Sequence, residues 1–295
     1  MSRSQPEAQP EAPPELSRSA LQEATRRIGR AAVAALYDEL ALAPKPGLVS
    51  FADSGSHRDM DARTFMRSLF ALRHSFARLA ALGAAGADFT ALADEGLRAE
   101  QVMLTATGGI NTHRGAIFSL GLLCASAGWL RAQGARPAAA RLRQHLLAHW
   151  SPALARRPRG ACRSHGASAA EAHGLRGANA EAALGLPVLF ETTWPALQAA
   201  IKQGLPMQAA QLQAFFATLA CLDDTNLAHR GGLAGLRWAQ AAAHTWLQGG
   251  GAARPGAVGE AWALHREFVA RRLSPGGSAD MLAAACWLQR LEALP

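Results

Sequence analysis

Residues 212–232 read LQAFFATLACLDDTNLAHRGG, and the first half of this stretch decides the fold class. Its apolar residues recur at steps of three and four: Leu212, Phe215, Phe216, Leu219 and Leu222. This spacing predicts a buried helix. Similar stripes recur along the chain, and no segment of useful length alternates apolar with polar residues as a half-buried strand does. The sequence therefore predicts an all-α fold.

The second half of the same stretch places two adjacent carboxylates, Asp223 and Asp224, near the C-terminal end of the predicted helix. Cations, not anions, are favoured at that end of the helix dipole. The pair therefore needs a positive partner, which could be a divalent metal, His229 or Arg230. The alternative is a solvated helix end that is closed by two glycines.

Composition favours closely packed helices, and the basic excess could indicate nucleic acid, an anionic membrane or small polyanionic substrates. The 295 residues are 49% hydrophobic and carry a formal net charge of +8, with only two lysines, Lys45 and Lys202, among the basic residues. The arginines are scattered, without the dense basic run that is typical of a nucleic-acid-binding arm. Because arginine favours bidentate contact with phosphate or carboxylate, we expect polyanionic small molecules and no nucleic acid.

Cysteine usage and hydropathy predict a cytoplasmic protein. The four cysteines are widely spaced and form no Cys-x-x-Cys pair, so neither a zinc site nor a disulfide framework is indicated. The N-terminus lacks the apolar core of a signal peptide. The longest apolar stretch, residues 116–130, is interrupted by serines and glycines and is shorter than a bilayer-spanning segment. We therefore expect no membrane partner.

The chain is predicted to be a disordered tail, residues 1–15, followed by a single all-helical domain, residues 16–295. The tail is rich in Pro, Gln and Glu. The domain reads as a multi-helix bundle of roughly ten or more helices with glycine-rich active-site loops. One helix runs from Ser17 to before Pro44, and Asp61 caps the next, whose apolar face continues to Leu79.

Further along, the pattern predicts a helix over residues 136–150, a basic loop over 151–163, and an alanine-rich helix that reaches Glu181. Gly174, Arg176, Gly177 and Asn179 are unusual in a plain helix and predict either a close backbone approach or a break near a ligand. Helices at about 233–248, 257–272 and 279–292 complete the chain.

Two glycine-rich helix starts are candidate phosphate sites. Residues 107–115 read TGGINTHRG, where Asn111 or Thr112 would cap a helix with His113 and Arg114 in its first turn. Free backbone N–H groups beside a basic side chain bind phosphate well. Residues 274–280, SPGGSAD, form a similar start with Gly276 and Gly277. The alternative in each case is an ordinary capped turn.

Other polar residues also lie in glycine-containing segments. Lys45, in the loop sequence PKPG, is a flexible point charge in a chain that otherwise uses arginine, so it is a candidate phosphate contact or a solvated loop lysine. The histidines in such segments could act as acid, base or ligand, and they are His57, His113, His165 and His229. Carboxylates that keep coordinated water suit Mg²⁺, which needs few protein ligands and shares phosphate oxygens.

Several blocks of the sequence, taken together, resemble the triphosphoribosyl-dephospho-CoA synthase family. They are PKPGLV at 44–49, GSHRDMD at 55–61, GINTHRGAIF at 109–118, SHG at 164–166, GLRGA at 174–178 with Glu181, LDDTN at 222–226 with HRGG at 229–232, and SPGGSAD at 274–280. The resemblance implies an all-α enzyme that joins the ribose C1 of ATP to the 2′-hydroxyl of 3′-dephospho-CoA and releases adenine.

In this family the product is a prosthetic-group precursor, which passes to a holo-acyl-carrier-protein synthase. It serves the acyl carrier subunit of malonate decarboxylase or of citrate lyase. Residues 49–57 look closer to the malonate decarboxylase branch, because an acidic residue is expected at Ser50 in the other branch. Asn179 stands where many relatives are expected to have an arginine.

The chemistry that the resemblance implies leads us to a hypothesis for the roles of the candidate residues. Asp223 and Asp224 would hold Mg²⁺ or face the ribose centre, Asp59 or Asp61 would supply a second metal ligand, and Glu181 would be a base. His113 is a candidate for phosphate binding and for proton transfer. The predicted nucleotide contacts are Lys45, Asn111, Thr112, Arg114, Asn226, Arg230, Gly276 and Gly277.

Two other classes of function fit parts of the same pattern. The first is a metal-dependent hydrolase of nucleotides or ADP-ribose conjugates, which can also use carboxylates on helices. The second is a non-enzymatic helical module that binds an acyl carrier subunit or nucleic acid through its positive charge.

Overall fold

The structure, a computed structural model, describes residues 17–156 and 165–293, and all regular secondary structure in this part of the chain is helical, without a strand. The α-helices are α1 (Arg18–Ala41), α2 (Ala62–Leu72), α3 (Ser75–Ala84), α4 (Phe89–Thr107), α5 (Arg114–Ala132), α6 (Ala139–His145), α7 (Ser151–Ala155), α8 (His165–His173), α9 (Ala178–Ala183), α10 (Trp194–Lys202), α11 (Met207–Cys221), α12 (Thr225–Gln248), α13 (Ala257–Ala270) and α14 (Gly276–Glu292). The predicted all-α fold is confirmed.

Two π-helical turns and one 3₁₀ turn join these helices: Leu146–Trp150, Leu189–Thr193 and Gly251–Ala253. The buried apolar side chains form one continuous cluster to which α1, α5, α11 and α14 all contribute. The predicted tail, residues 1–15, lies outside the described residues, as do Cys162 and Ser164.

Helix α5 is the centre of the bundle, and α3 packs against it at very short range. Gly83 of α3 and Gly128 of α5 make this approach possible: a Cβ atom on either would overlap a backbone carbonyl oxygen, that of Ala125 or that of Ala80. The small side chains of both helices thus bring two backbones together, which buries apolar area without large residues.

Helix α5 is also longer than the apolar stretch predicted from the sequence. Its 19 residues would be long and apolar enough to cross a membrane by length and composition alone. However, 72% of the apolar window is buried inside the protein, which is expected of a core helix.

Several predicted boundaries are wrong, because local patterning does not show where packing interrupts a helix. The helix that was expected to continue to Leu79 breaks at Arg73 and His74 into α2 and α3. Residues 151–155, predicted as loop, are helical as α7, while residues 157–164 of that predicted basic loop lie outside the described residues. The expected break at 174–177 does separate α8 from α9.

The most important correction concerns residues 223–232. The sequence predicts that the next helix begins at about residue 233, yet α12 begins at Thr225 and runs on past a single non-helical residue, Gly232, at φ 62°. Helix α14 likewise begins at Gly276, three residues earlier than expected. Asp224 is therefore at the start of one helix, instead of only following the end of another.

Candidate active site

Asp224 joins the starts of α12 and α14. Its Oδ1 accepts hydrogen bonds from the backbone N–H of Asn226 (3.0 Å) and of Leu227 (3.4 Å). Its Oδ2 accepts from the N–H (2.8 Å) and the hydroxyl (3.0 Å) of Ser278. Burial raises the pKa of this carboxyl, and the hydrogen bonds from Ser278 act in the opposite direction. With both oxygens occupied, Asp224 does not fit the predicted role of metal ligand, and its geometry is that of a helix cap.

Asp280, in the first turns of α14, is the carboxyl group that faces the start of α5. A Cβ atom on Gly115 would overlap Asp280 Oδ2, so the carboxyl group lies directly on the α5 backbone. The residue is partly exposed. Burial and the nearby carboxylates of Asp224 and Glu39 raise its pKa well above the usual range, although the N–H of Ala116 donates a hydrogen bond to it.

Lys45 is fully buried and lies on the inner side of the group formed by Asp224, Asp280 and Glu39. Its ammonium group donates to the carboxylate and to the backbone carbonyl of Glu39, at the end of α1. Burial lowers the pKa of Lys45, and the charge of Glu39 counteracts the change. The predicted phosphate contact through Lys45 does not fit this geometry, because the ammonium group is used inside the protein and is shielded from solvent.

His113 is a buried, neutral imidazole at the start of α5. Its Nδ1 lies 2.7 Å from the hydroxyl of Ser68 on α2, and the ring of Phe65 packs edge-on against it at 4.9 Å. Nε2 is buried, and no hydrogen-bond partner for it lies among the described residues. Burial, followed by the charge of Lys45, lowers its pKa to about 3. His113 therefore cannot supply a positive charge to a phosphate at neutral pH.

Three other predicted phosphate contacts surround His113. Asn111 accepts a hydrogen bond from the N–H of Arg114 (3.1 Å), the first residue of α5. The N-cap position itself belongs to His113, whose side chain makes no capping hydrogen bond, so the expected cap by Asn111 or Thr112 is wrong in position. The Arg114 side chain donates to Glu100 on α4 (2.8 Å) and stays partly exposed. The buried hydroxyl oxygen of Thr112 has no partner within the described part of the chain.

The loop of residues 44–57 is tied to α12 and to the segment before α14. His57 Nε2 lies 2.8 Å from the Ser274 hydroxyl, and Arg230 lies 3.1 Å from His57 Nδ1. Arg230 also donates to the carbonyl groups of Ser56 and Arg272. Burial and the charge of Arg230 lower the pKa of His57 to about 4. In this arrangement Arg230 holds the loop in place, and its guanidinium group is engaged by carbonyl oxygens.

A second cluster surrounds Asp223. The backbone N–H of Arg176 donates to Asp223 Oδ2 (3.2 Å), and the Arg176 side chain lies 3.3 Å from Glu181 Oε2. Glu181 is buried, and its Oε1 accepts from the N–H of Val188 (2.7 Å). Burial raises the pKa of Glu181, with a further upward contribution from Asp223. Asn179, outside this cluster, donates to the Leu154 carbonyl.

The glycine pair at the start of α14 leaves room for side chains of α12. A Cβ atom on Gly276 would approach the Asn226 amide to 2.7 Å, and one on Gly277 would approach Asp224 Oδ2 to 3.2 Å. Nearby, the rings of His165 and His229 stack at 4.5 Å between α8 and α12. Burial, followed by the charges of His165 and Arg230, lowers the pKa of His229.

Of the four predicted magnesium ligands, Asp223 and Asp59 best fit a metal. Asp223 Oδ1 has no hydrogen bond within the described ranges, and Asp59 is 63% exposed, with His57 Nδ1 at 3.7 Å. Asp61 instead caps α2, with Oδ1 accepting from Thr64, so its structural role is confirmed and it is poorly placed for a metal. In residues 17–156 and 165–293 no three metal-ligating side chains form a group.

Two of the most informative carboxyl groups, Glu39 and Asp280, were missed by sequence reasoning. Glu39 lies in a long helical pattern and looks like any surface glutamate. Asp280 was visible as the last residue of SPGGSAD, and the available signal was an acidic residue in the first turn of a nearly apolar helix.

Carboxyl groups from α1, α14 and the start of α12 lie together near the start of α5, and the pKa values of two of them, Asp224 and Asp280, are raised. Such a group of carboxyls is typical of an enzyme, here one with an all-helical scaffold. The family model for ATP:dephospho-CoA triphosphoribosyl transferase matches residues 25–295. The chain belongs to this family, and the expected synthase activity is thereby confirmed at the level of the family.

Curated relatives agree with the family model. A protein of Pectobacterium atrosepticum named 2-(5''-triphosphoribosyl)-3'-dephosphocoenzyme-A synthase is 39% identical over 92% of this chain and 93% of its own length. Proteins with the same name, marked probable, are 38% identical in Vibrio cholerae (89% of this chain, 87% of the relative) and 35% identical in Photobacterium profundum (90% and 88%). No solved structure matches the chain.

Proposed function

We propose that this protein transfers the 5-triphosphoribosyl group of ATP to the 2′-hydroxyl of 3′-dephospho-CoA and releases adenine. The family description and the names of the relatives support these substrates. The structural observation that carries the proposal is Asp280, a partly exposed residue whose carboxyl group lies on the α5 backbone at Gly115, near Asp224 and Glu39, and has a raised pKa. A carboxyl group that stays protonated can give a proton to a departing base.

The reaction breaks the bond between ribose C1 and adenine N9 and forms a bond between C1 and the hydroxyl oxygen. The adenine gains a proton as it leaves, and the attacking hydroxyl loses one. Positive charge develops on the ribose in between, as in glycoside cleavage, so a carboxylate near C1 stabilises the transition state. The triphosphate stays on the ribose and serves to position it.

The two carboxyl clusters suit these two proton transfers. In our proposal Asp280, in its protonated form, donates to adenine at the start of α5. Glu181 accepts the proton of the hydroxyl, and Arg176 contacts both Glu181, through its side chain, and the neighbouring Asp223, through its backbone N–H. After product release, solvent exchange restores both groups.

The triphosphate would be bound near the two glycine-rich helix starts. Arg114, Asn111 and Thr112 at the first, and Asn226, Gly276 and Gly277 at the second, remain the proposed contacts. Asp223 and Asp59 are the residues that would hold Mg²⁺, together with phosphate oxygens. When bound, the ion neutralises part of the triphosphate charge.

We further propose that the product serves malonate decarboxylase through a holo-acyl-carrier-protein synthase. Support comes from residues 49–57, where Ser50 is buried and its hydroxyl accepts from the N–H of Ala52 (3.1 Å). Deletion of the gene should leave the malonate decarboxylase carrier without its prosthetic group, and loss from the citrate lyase carrier alone would contradict this branch. The substrates imply a cytoplasmic enzyme, which cell fractionation tests.

Mass spectrometry of the protein with ATP, Mg²⁺ and dephospho-CoA tests the reaction. We expect free adenine and triphosphoribosyl-dephospho-CoA in equal amounts, both dependent on dephospho-CoA. Free ribose triphosphate or ADP formed without dephospho-CoA would instead indicate a hydrolase. Omission of Mg²⁺, with EDTA added, tests the metal, and an undiminished rate would remove it from the proposal.

A further inference from the structure

An open groove of about 680 Å³ lies between α2 and the loop of residues 44–57. The lining residues that matter for its chemistry are Phe51, Arg63, Met66, Arg67, Phe70 and Ala106. Its volume is in the range of ligand pockets in proteins. None of these residues belongs to the two carboxyl clusters.

The groove and the Asp280 cluster share the helix α2. The inner side of α2 carries Ser68, whose hydroxyl lies 2.7 Å from His113, and Phe65, whose ring packs against the same imidazole. Residues 63, 66, 67 and 70 lie on the groove side. Helix α2 therefore contacts both the groove and the start of α5, and Ala106, near the end of α4 and shortly before the glycine-rich start of α5, also lines the groove.

The groove has a concentrated positive charge. Arg63 and Arg67 are four residues apart on α2, a spacing at which like charges repel. Both are exposed, and within the described residues neither forms a salt bridge; Arg67 donates to the Thr64 hydroxyl (3.3 Å), and the Asp61 carboxylate acts on both only through its charge. Two adjacent guanidinium groups without a salt-bridged acidic partner suit a ligand with two phosphate groups.

The rest of the groove is apolar and exposed. Phe51 and Phe70 have 52% and 64% of their surface exposed, and Tyr37 lies 5.7 Å from the Phe51 ring. Met66, on α2, also lines the groove and is only partly buried. Exposed apolar residues that are grouped and bordered by charge indicate a binding surface.

We propose that this groove binds 3′-dephospho-CoA, with its diphosphate on Arg63 and Arg67 and its pantetheine arm along Phe51, Met66 and Phe70. The inference rests on the proposed function, which supplies two nucleotide substrates. Dephospho-CoA combines a diphosphate with a long pantetheine arm, whose dimethyl group and methylenes can lie on an apolar surface. ATP has no such arm, so the apolar half of the groove selects the acceptor substrate.

Isothermal titration tests the proposal without chemistry, because each nucleotide is titrated alone. The double variant Arg63→Gln/Arg67→Gln should bind dephospho-CoA at least about tenfold more weakly, since two charge-assisted contacts are lost, while ATP binding with Mg²⁺ changes little. Phe51→Ala should weaken dephospho-CoA more than ADP, which lacks the arm. Arg237→Gln, an exposed arginine on α12, is the control and should change neither affinity.

Three results would contradict the proposed binding of dephospho-CoA in the groove. They are an unchanged affinity of the double variant for dephospho-CoA, an equal loss for ATP and dephospho-CoA, and a wild-type dimer in sedimentation velocity that Phe51→Ala converts to monomer. The last would make the groove an interface between copies of the chain. If wild-type protein binds dephospho-CoA in the groove yet releases no adenine, the groove stands and the proposed reaction fails.

Discussion

Asp223 and Asp224 are adjacent in the sequence and differ in what surrounds them. Asp224 is buried and accepts four hydrogen bonds from two helix starts, whereas Asp223 is partly exposed and accepts one from Arg176. The first therefore has a structural role. The second has an oxygen to offer to substrate or metal.

Substituting each aspartate by asparagine should separate these roles. Asp224→Asn turns an amide N–H toward donors and loses charge-assisted bonds, so we expect the free energy of unfolding to fall by about 2 kcal/mol. Asp223→Asn should leave unfolding unchanged and abolish adenine release. Urea denaturation followed by circular dichroism, and chromatography of adenine, measure the two effects.

Exposed Asp94 on α4 provides a control for both measurements, because Asp94→Asn should alter neither stability nor turnover. Wild-type turnover in the Asp223→Asn variant would remove that residue from the mechanism. Wild-type stability in the Asp224→Asn variant would show that the cap contributes little.

Asp280 allows a prediction about the pH dependence of the rate. Its pKa is raised above the usual range, so the protonated form that donates to adenine is present below that pKa and lost as the pH rises through it. The wild-type kcat/KM should therefore decline on the alkaline side. Asp280→Asn should lower the rate by about a hundredfold or more and remove this decline.

A structural role alone would not change the shape of the pH profile. The control for folding is the circular dichroism spectrum and melting temperature of Asp280→Asn, which should stay close to wild type. Unlike Asp224, which accepts four hydrogen bonds, Asp280 accepts one from the N–H of Ala116, and the amide oxygen of asparagine can accept it equally. A variant with an unchanged alkaline limb would assign the proton donor to another group.

At the scale of elements, the approach of α3 to α5 depends on glycines at the crossing. A Cβ atom on Gly83 would meet backbone atoms of Ala125, which have no freedom to move aside. Alanine has a higher helix propensity than glycine, but this gain cannot compensate for the clash, because the added methyl group would overpack the contact between the two helices. The start of α5, where Asp280 lies on Gly115, is positioned by this same helix pair.

Gly83→Ala and Gly96→Ala form a matched pair of tests. At Gly83 we expect a loss of about 2 kcal/mol or more in the free energy of unfolding. A methyl group added at Gly96, inside α4, would meet no other atom within 4 Å, so Gly96→Ala should stabilise the protein by about 0.5–1 kcal/mol. Equal effects in thermal melts would contradict the close crossing.

At the scale of the whole molecule, three histidines couple folding to pH. Burial lowers the pKa of His57 and His145 to about 4 and that of His113 to about 3. In the unfolded chain these groups protonate near pH 6.5, so the unfolded state binds more protons between that pH and the folded pKa. Each histidine therefore reduces stability as the pH falls through this window.

The raised pKa values of Asp224, Asp280 and Glu181 act in the opposite direction, because those groups bind protons more readily in the folded state. A comparison of wild type with His113→Asn cancels them, since they are present in both proteins. We expect the free energy of unfolding of wild type, relative to that of His113→Asn, to fall by about 2 kcal/mol between pH 7 and pH 4.5. Urea titrations at both pH values measure it.

The exposed His244 of α12 is the control, and His244→Asn should show the same pH dependence as wild type. If His113→Asn loses stability with acid as steeply as wild type, protonation of His113 is not linked to unfolding.

Much of this protein could be read from local sequence. The stripe from Leu212 to Leu222, the Asp61 cap and the stop before Pro44 predict helices, since periodicity and capping act over a few residues. The ordered blocks of motif residues predicted the family. Neither source of information separates a carboxylate that caps a helix from one that is free to react.

The helical class, most helix positions and the family follow from the sequence alone, because they depend on short-range patterns and on residue identity. Only the tertiary structure decided that Lys45 pairs with Glu39 inside the protein and that Asp280 faces the start of α5. It also decided that Ser278, 54 residues away in the chain, donates hydrogen bonds to Asp224. Hydrogen bonding and burial set the chemistry of each group, and both are supplied by residues that are distant in the chain.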